Sequence, residues 1–168
     1  AALFNFRENG NLIVNQNGDH TKFSSLQGKI GVDSSLNHLD PSAFPNESPL
    51  NISNAGPMHW GWNPGYIFMN LEGKVDTIVD AVNNLDLSFS FHIGTDDYLQ
   101  SFDFPNVTWQ DKGHHVWELP LKLDLSNFLA NPNSPINLKT EHLTHTGAGQ
   151  ETLTQKVIQN FKNALTVY

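Results

Sequence analysis

Imidazoles are the main groups in this sequence that could bind a metal. The 168 residues include 8 His and no Cys, against 9 Lys and Arg together. His binds metals and carries protons, whereas the absence of Cys excludes thiolate zinc sites and iron–sulfur clusters. Imidazole donors without thiolates suit copper better than structural zinc. No His pair has the spacing of a helical zinc motif, so a site must be assembled from separate elements.

One short segment concentrates the other candidate groups. Residues 58–66 read Met-His-Trp-Gly-Trp-Asn-Pro-Gly-Tyr. In an extended strand, Trp60 and Trp62 share one face and His59 points to the other. Two interpretations stay open at this point: a buried aromatic pair beside a hydrogen-bonded His, or a metal locus.

The remaining candidate histidines lie in three other places. His92 ends the best strand-like run, on its polar face, and His115 lies on the apolar face of a second run. His115 is therefore either a core histidine or a ligand. His142 and His145 are three residues apart in a loop rich in Thr and Gly, a spacing that could clamp a metal.

Other chemistries find little support. The sequence has no nucleophile elbow, P-loop or dinucleotide fingerprint. Asp96, Asp97 and Asp103 do not have the spacing of an EF-hand calcium loop. A net charge of -8 excludes the basic footprint of nucleic-acid binding. No apolar stretch approaches the roughly 20 residues of a membrane span.

Alternating short runs predict strands. Residues 85–91 alternate most clearly, and residues 115–123 do so with Pro120 marking an edge or bulged strand. Residues 66–71 and 74–79 predict two strands, or one strand bent at Gly73. Shorter candidates are residues 3–6, 12–15 and 29–32, the first two forming a hairpin around Asn9-Gly10.

Helical signal is confined to the C-terminal part. Residues 125–130 predict a single turn, and residues 152–165 predict a helix with Thr152 and Gln155 as a capping box. Residues 33–63 show no period, and an aperiodic stretch of that length is usually functional or disordered. We expect one domain over residues 1–168, an all-β antiparallel β-sandwich with long loops and one C-terminal α-helix.

Several stretches resemble the MbnP-like family of methanobactin-associated periplasmic proteins, which is related to copper-repressible surface proteins of methane oxidisers. Residues 28–33 with Asn37 are similar to its Gly-x-Asp strand. Residues 58–66, followed by Glu72-Gly73, are similar to its Met-x-Trp-x-Trp-x-x-Gly-Tyr signature. Residues 91–94, 119–124 and 160–165 resemble later elements. The resemblance covers about residues 27–168, and an N-terminal portion of the family pattern looks shortened.

The resemblance implies a periplasmic, secreted or outer-surface β-sandwich that binds Cu(I) or Cu(II). It implies His ligands together with a Trp oxidised to kynurenine, and a di-haem peroxidase-like oxidase as the modifying partner. Which Trp is oxidised and which second His completes the site stay open. Carried over by position, the candidate metal ligands are His59, Trp60, Trp62, His92, His115 and His145.

Three functions compete. The first is a copper-binding protein of the cell envelope without catalysis of its own. The alternative is a non-enzymatic glycan- or protein-binding module with a structural Trp cluster, in which Trp60 and Trp62 would be substantially exposed. A metal-dependent hydrolase or oxygenase comes last, because no acid–base pair lies near a His cluster and the chain begins with Ala1. We therefore expect no enzymatic activity.

Overall fold

The computed structural model describes residues 1–5, 14–61, 63–78, 80, 82 and 84–167. Its strands are β1 (Ser25–Ile30), β2 (His59–Gly61), β3 (Gly65–Val75), β4 (Leu87–Gly94), β5 (Gln100–Pro105), β6 (Gln110–Asp111), β7 (Trp117–Glu118), β8 (Leu121–Leu123), β9 (Leu143–Thr144) and β10 (Leu165–Val167). Its helices are α1 (Ser34–Asn37), α2 (Ile52–Ala55), α3 (Leu125–Leu129) and α4 (Glu151–Ala164). Short 3-10 helices occupy His20–Lys22, Pro41–Ala43, Gly56–Met58 and Asp96–Tyr98.

The central feature is a four-stranded sheet with the order β2-β3-β4-β9. The β2–β3 and β3–β4 pairs are antiparallel, whereas β9 pairs with β4 in parallel. Over the described residues, β1 with β5, β6 with β7 and β8 with β10 form separate two-stranded sheets. The β-rich prediction with a C-terminal helix is confirmed, but a sandwich of two facing sheets is not, and the β4–β9 pair departs from a purely antiparallel arrangement.

The core lies between one face of the central sheet and the helices. Alternation along β4 buries Phe91 and Ile93 completely, as the period of two in residues 85–91 predicts. Phe128 of α3 and Val157 and Ile158 of α4 pack against them, and all three are also fully buried. Each side chain of this size contributes roughly 1.5–3 kcal/mol on burial. Packing of the core on one face of β4 leaves the side chains of its other face available for binding.

The strand predicted over residues 115–123 is confirmed only for residues 117–118 and 121–123, and the placement of His115 on a buried face is wrong. The segment forms a turn with His114 and His115 at φ values of 52° and 62°, followed by the separate strands β7 and β8. Left-handed backbone cannot continue a strand, and Pro120 has no N–H for a ladder. His115 is consequently exposed rather than on a buried face.

Of the other predicted elements, some are confirmed, one is wrong and some stay predictions. The single turn at residues 125–130 is confirmed as α3, and residues 66–75 lie in one strand that continues through Gly73. Helix α4 begins at Glu151 with Gln150 as N-cap, so the capping box of Thr152 and Gln155 is wrong. The hairpin around Asn9-Gly10 lies largely outside the described residues. The single-domain arrangement stays a prediction.

Candidate metal centre

The outer face of β3 and β4 carries the polar side chains of the sheet. Asn70 lies opposite His92, and Glu72 lies opposite Ser90. Directly opposed residues of antiparallel strands project from the same face, so these four side chains stand together. Phe91, the residue between Ser90 and His92, points into the core. The sequence period that buries Phe91 therefore presents His92 outward.

Strand β9 brings His145 to the same face. Its parallel register pairs Phe91 with Thr144, and one step further along both strands places His145 beside His92. The two imidazole rings are stacked, with centroids 4.5 Å apart and planes 8° apart. A two-residue strand thus joins histidines that are 53 positions apart in sequence.

The Nε2 atoms of both rings converge on one hydroxyl group. Ser90 Oγ lies 3.3 Å from His92 Nε2 and 3.2 Å from His145 Nε2. Glu72 Oε1 lies 2.7 Å from His92 Nε2. One proton arrangement satisfies the two shorter contacts: His92 Nε2–H donates to Glu72 Oε1, and the Ser90 hydroxyl donates to His145 Nε2. The 3.3 Å contact between Ser90 Oγ and His92 Nε2 then has no proton of its own. We call Glu72, Ser90, His92 and His145 the histidine cluster.

The loop after β9 is fastened to the cluster through hydrogen bonds. Thr146 Oγ1 donates to the carbonyl of His92 at 2.9 Å and accepts from the amide of Gly94 at 3.1 Å. Gln150 Oε1 accepts from the amide of His145 at 2.9 Å. These hydrogen bonds hold the backbone at His145 and at the next residue, Thr146, and so restrict where the His145 side chain begins.

Trp60 packs over the end of β4. A β-carbon built on Gly94 would lie 2.6 Å from Cζ3 of the Trp60 indole, so this ring covers Gly94, two residues beyond His92. The indole is half-buried. Trp60 lies in β2, whose pairing with β3 is irregular between His59 and Gly61.

His59 has a different environment. It pairs with Tyr66 across β2 and β3, and the two rings meet edge to face with centroids 4.8 Å apart. Its Nε2 is buried and has no hydrogen-bond partner among the described residues. The Tyr66 hydroxyl donates to the carbonyl of Leu50, and burial raises the pKa of Tyr66. His59 is thus set into an aromatic environment beside the sheet rather than into the histidine cluster.

The six sequence candidates are therefore distributed unevenly. His92 and His145 stack on each other, and Trp60 covers Gly94 on the strand that carries His92. His59 packs against Tyr66 instead, and His115 lies in an exposed turn. Trp62 lies outside the described residues. Sequence reasoning did not single out Glu72 or Ser90. Both residues lie on the polar face of their strands. The register that brings them together depends on how β3 pairs with β4, and neither segment alone predicts it.

The donors of the cluster suit copper, although the site is not fully arranged for it. Two imidazoles with converging Nε2 atoms are appropriate copper ligands. Nevertheless, no group of three His, Cys, Asp or Glu residues in the described part of the chain surrounds a common point. The lone pairs of the stacked rings lie in nearly parallel planes, so one ring must turn about its χ2 bond before both lone pairs can point at the same ion. His145 is exposed and is the freer ring to turn.

Comparison with known proteins identifies the family. The family model described as MbnP matches residues 2–151, which is most of the chain. The chain belongs to the MbnP family. The match includes Trp60 and all four residues of the histidine cluster. No curated protein and no solved structure gives a match.

Membership of the MbnP family associates the protein with copper and methanobactin and with locations outside the cytoplasm. The resemblance seen in residues 58–66 is thereby confirmed at the level of the family. Among the described residues, none of the helices has both the length and the apolar character needed to cross a membrane.

Proposed function

We propose that this MbnP-family protein binds copper in the cell envelope through His92 and His145, without catalysing a reaction. The observation that carries the proposal is the convergence of both Nε2 atoms on Ser90 Oγ, at 3.3 and 3.2 Å. Copper would replace this hydroxyl as the group that the two imidazoles share. Family membership supports copper as the metal, and the absence of Cys removes the usual competing thiolate ligands.

Trp60 is the signature tryptophan that the structure describes, and it is our candidate for oxidation to kynurenine. Its ring covers Gly94, on the strand that carries His92, and the aromatic amine of a kynurenine would supply a nitrogen ligand that indole lacks. A di-haem peroxidase-like partner would catalyse the oxidation, with hydrogen peroxide or dioxygen as the oxidant and the lost indole carbon released as formate. Peptide mass spectrometry of natively sourced protein tests the oxidation of Trp60, which should increase the mass of the peptides that contain this residue. Unmodified Trp60 in copper-loaded native protein would contradict the oxidation.

The glycan- or protein-binding alternative is less well supported. It requires Trp60 and Trp62 to be substantially exposed, as aromatic anchors of an interface are before binding. Trp60 is instead half-buried against Gly94. The half-buried indole favours a role beside the histidine cluster.

Copper affinities of His variants test the main proposal. Loss of a residue that only orients a ligand costs roughly 10–100-fold in metal affinity. Removal of a ligand in His92→Ala or His145→Ala should therefore cost at least about 100-fold. Competition with a chromophoric chelator measures this for Cu(I) and Cu(II).

His115→Asn is the matched control, since Asn tolerates the left-handed backbone that His115 adopts. Its copper affinity should equal that of the wild-type protein. Unchanged affinity in both His92→Ala and His145→Ala would overturn the proposal, as would an equal loss in His115→Asn.

A further inference from the structure

Glu72 is the acidic member of the histidine cluster. Its Oε1 lies 2.7 Å from His92 Nε2. In the described part of the chain, no Lys or Arg forms an ion pair with this carboxylate. The carboxylate of Glu72 is therefore directed at the ring nitrogen of His92 that would bind a metal once its proton has moved to Nδ1 or to solvent.

Glu72 can share an ion with His92 once its carboxylate moves aside. Glu72 Oε1 and His92 Nε2 are 2.7 Å apart in a hydrogen bond. Metal bonds to imidazole nitrogen and carboxylate oxygen are about 2.0–2.2 Å long, so an ion on His92 Nε2 would occupy the line that now points to Glu72 Oε1. The carboxylate oxygen would have to swing off this line by roughly 2 Å to become a ligand of the same ion.

The backbone holds Glu72 where such a shift is possible. Glu72 pairs with Ser90 in the β3–β4 register, which places its side chain diagonally across from His92 on the same face. Its side chain is 45% exposed, whereas that of His92 is 18% exposed. The carboxylate can thus adjust toward an ion while His92 remains packed.

A carboxylate ligand favours one oxidation state of copper over the other. Cu(I) is soft and prefers sulfur ligands and imidazole, whereas carboxylate oxygen suits harder divalent ions. The chain has no Cys, and Met69 is buried in the core beneath the opposite face of β3. Glu72 is the carboxylate in contact with His92, and its oxygen is the charged donor that lies beside the two imidazoles.

We propose that Glu72 is a third ligand of the His92–His145 site and that its carboxylate shifts the preference of the site from Cu(I) toward Cu(II). This inference rests on the proposed function, because it needs copper at the two histidines. It assigns to Glu72 a role in selecting the oxidation state of the bound metal. Among divalent ions, Cu(II) should bind more tightly than Zn(II), because sites of nitrogen and oxygen ligands generally have the higher affinity for Cu(II).

The test compares Cu(I) and Cu(II) affinities of the full chain in the wild type and in Glu72→Gln. The amide keeps the size of the side chain but removes its charge. Cu(II) affinity should fall at least about tenfold and Cu(I) affinity less than about threefold. A tenfold change in this ratio raises the reduction potential of the bound copper by about 59 mV. The electron paramagnetic resonance spectrum of the Cu(II) form should also change with the loss of the carboxylate.

Glu118→Gln is the matched control, because the Glu118 side chain is 49% exposed, close to the exposure of Glu72, and pairs only with Lys112 among the described residues. It should change neither affinity. Equal losses for Cu(I) and Cu(II) in Glu72→Gln, or no loss, would overturn the role of Glu72 while leaving the His92-dependent copper site intact. Wild-type affinities that do not depend on His92 and His145 would overturn the copper site itself, and the role of Glu72 with it.

Discussion

The indole ring of Trp60 occupies the space that a side chain on Gly94 would need. A β-carbon at residue 94 would lie 2.6 Å from Trp60 Cζ3 and 2.7 Å from the backbone carbonyl oxygen of Tyr66. Both distances are well below normal contact, and the carbonyl oxygen cannot move without disturbing β3. The glycine is thus required for Trp60 to lie against β4 near His92.

Gly94→Ala should therefore displace Trp60 and destabilise the protein. Overpacking of this kind costs about 1–3 kcal/mol of the free energy of unfolding. Chemical denaturation measures the cost, and near-ultraviolet circular dichroism reports the displaced indole. Gly147→Ala is the control, because its β-carbon would meet only the movable end of Gln150, at 3.2 Å. Equal stability of the two variants would contradict the packing described for Trp60.

Asn37 joins three parts of the chain next to the sheet. Its side chain is fully buried, accepts from the amide of Tyr66 at 2.8 Å and donates to Asp96 at 2.7 Å. Hydrogen bonds from Ser34 and from Asn37 lower the pKa of Asp96. Asn37 thereby fastens the otherwise aperiodic residues 33–63 to the end of the β3–β4 pair at which β3 begins and β4 ends.

Asn37→Ala should destabilise the protein by about 1–3 kcal/mol, because a buried amide of Tyr66 loses its partner. It should also move the pKa of Asp96 back toward its ordinary value. Equilibrium unfolding measures the first effect, and nuclear magnetic resonance titration of the carboxyl measures the second. Asn163→Ala, at an exposed position in α4, should leave both quantities nearly unchanged. A pKa of Asp96 that stays equally low in Asn37→Ala would show that Asn37 does not contribute to it.

Gln150 positions the loop that carries His145. Its Oε1 accepts from the amides of His145 at 2.9 Å and Gly147 at 3.0 Å. If His145 binds copper, Gln150→Ala should lower copper affinity by roughly tenfold through loss of orientation. Gln150→Glu keeps the acceptor oxygen and should restore most of the affinity, while Gln155→Ala on the exposed side of α4 should have no effect. Affinity that is unchanged in Gln150→Ala would contradict this role.

The sequence predicted the face of β4 well, because alternation is a local signal. Phe89 and Phe91 share the phase that packs on the core, and His92 has the opposite phase. Burial of one face requires this period of two in any register. The outward direction of His92 was therefore predictable without knowledge of its partners.

The partners of His92 were much less predictable. Glu72 reaches His92 only through the register of β3 with β4, and His145 only through the parallel strand β9 of two residues. The sequence between β3 and β4 does not determine the β3–β4 register, and a strand of two residues such as β9 is too short to determine its own pairing. His115 failed for a different reason: its run alternates in composition, but left-handed backbone at His114 and His115 breaks the strand.

Glu141 anchors the segment before β9 to α4. Lys156 Nζ donates to both carboxylate oxygens, at 2.8 and 2.7 Å, and the amide of Asn137 donates to Oε2 at 2.9 Å. The hydrogen bond from Lys156 is the largest cause that lowers the pKa of Glu141 below its ordinary value. The ionised carboxylate is thus stabilised in the folded state relative to the unfolded state.

The contribution of Glu141 to stability should consequently depend on pH. Because the folded pKa is the lower one, this contribution is fully present above the unfolded value of about 4.3 and is lost as the pH falls through the folded pKa. Glu141→Gln should therefore be less stable than wild type at pH 7, and the difference should shrink below about pH 4. Urea denaturation at pH values from about 3 to 7 measures it. Lys156→Met should remove most of the same pH dependence, whereas a Glu141→Gln difference that stays constant across this range would contradict the assignment.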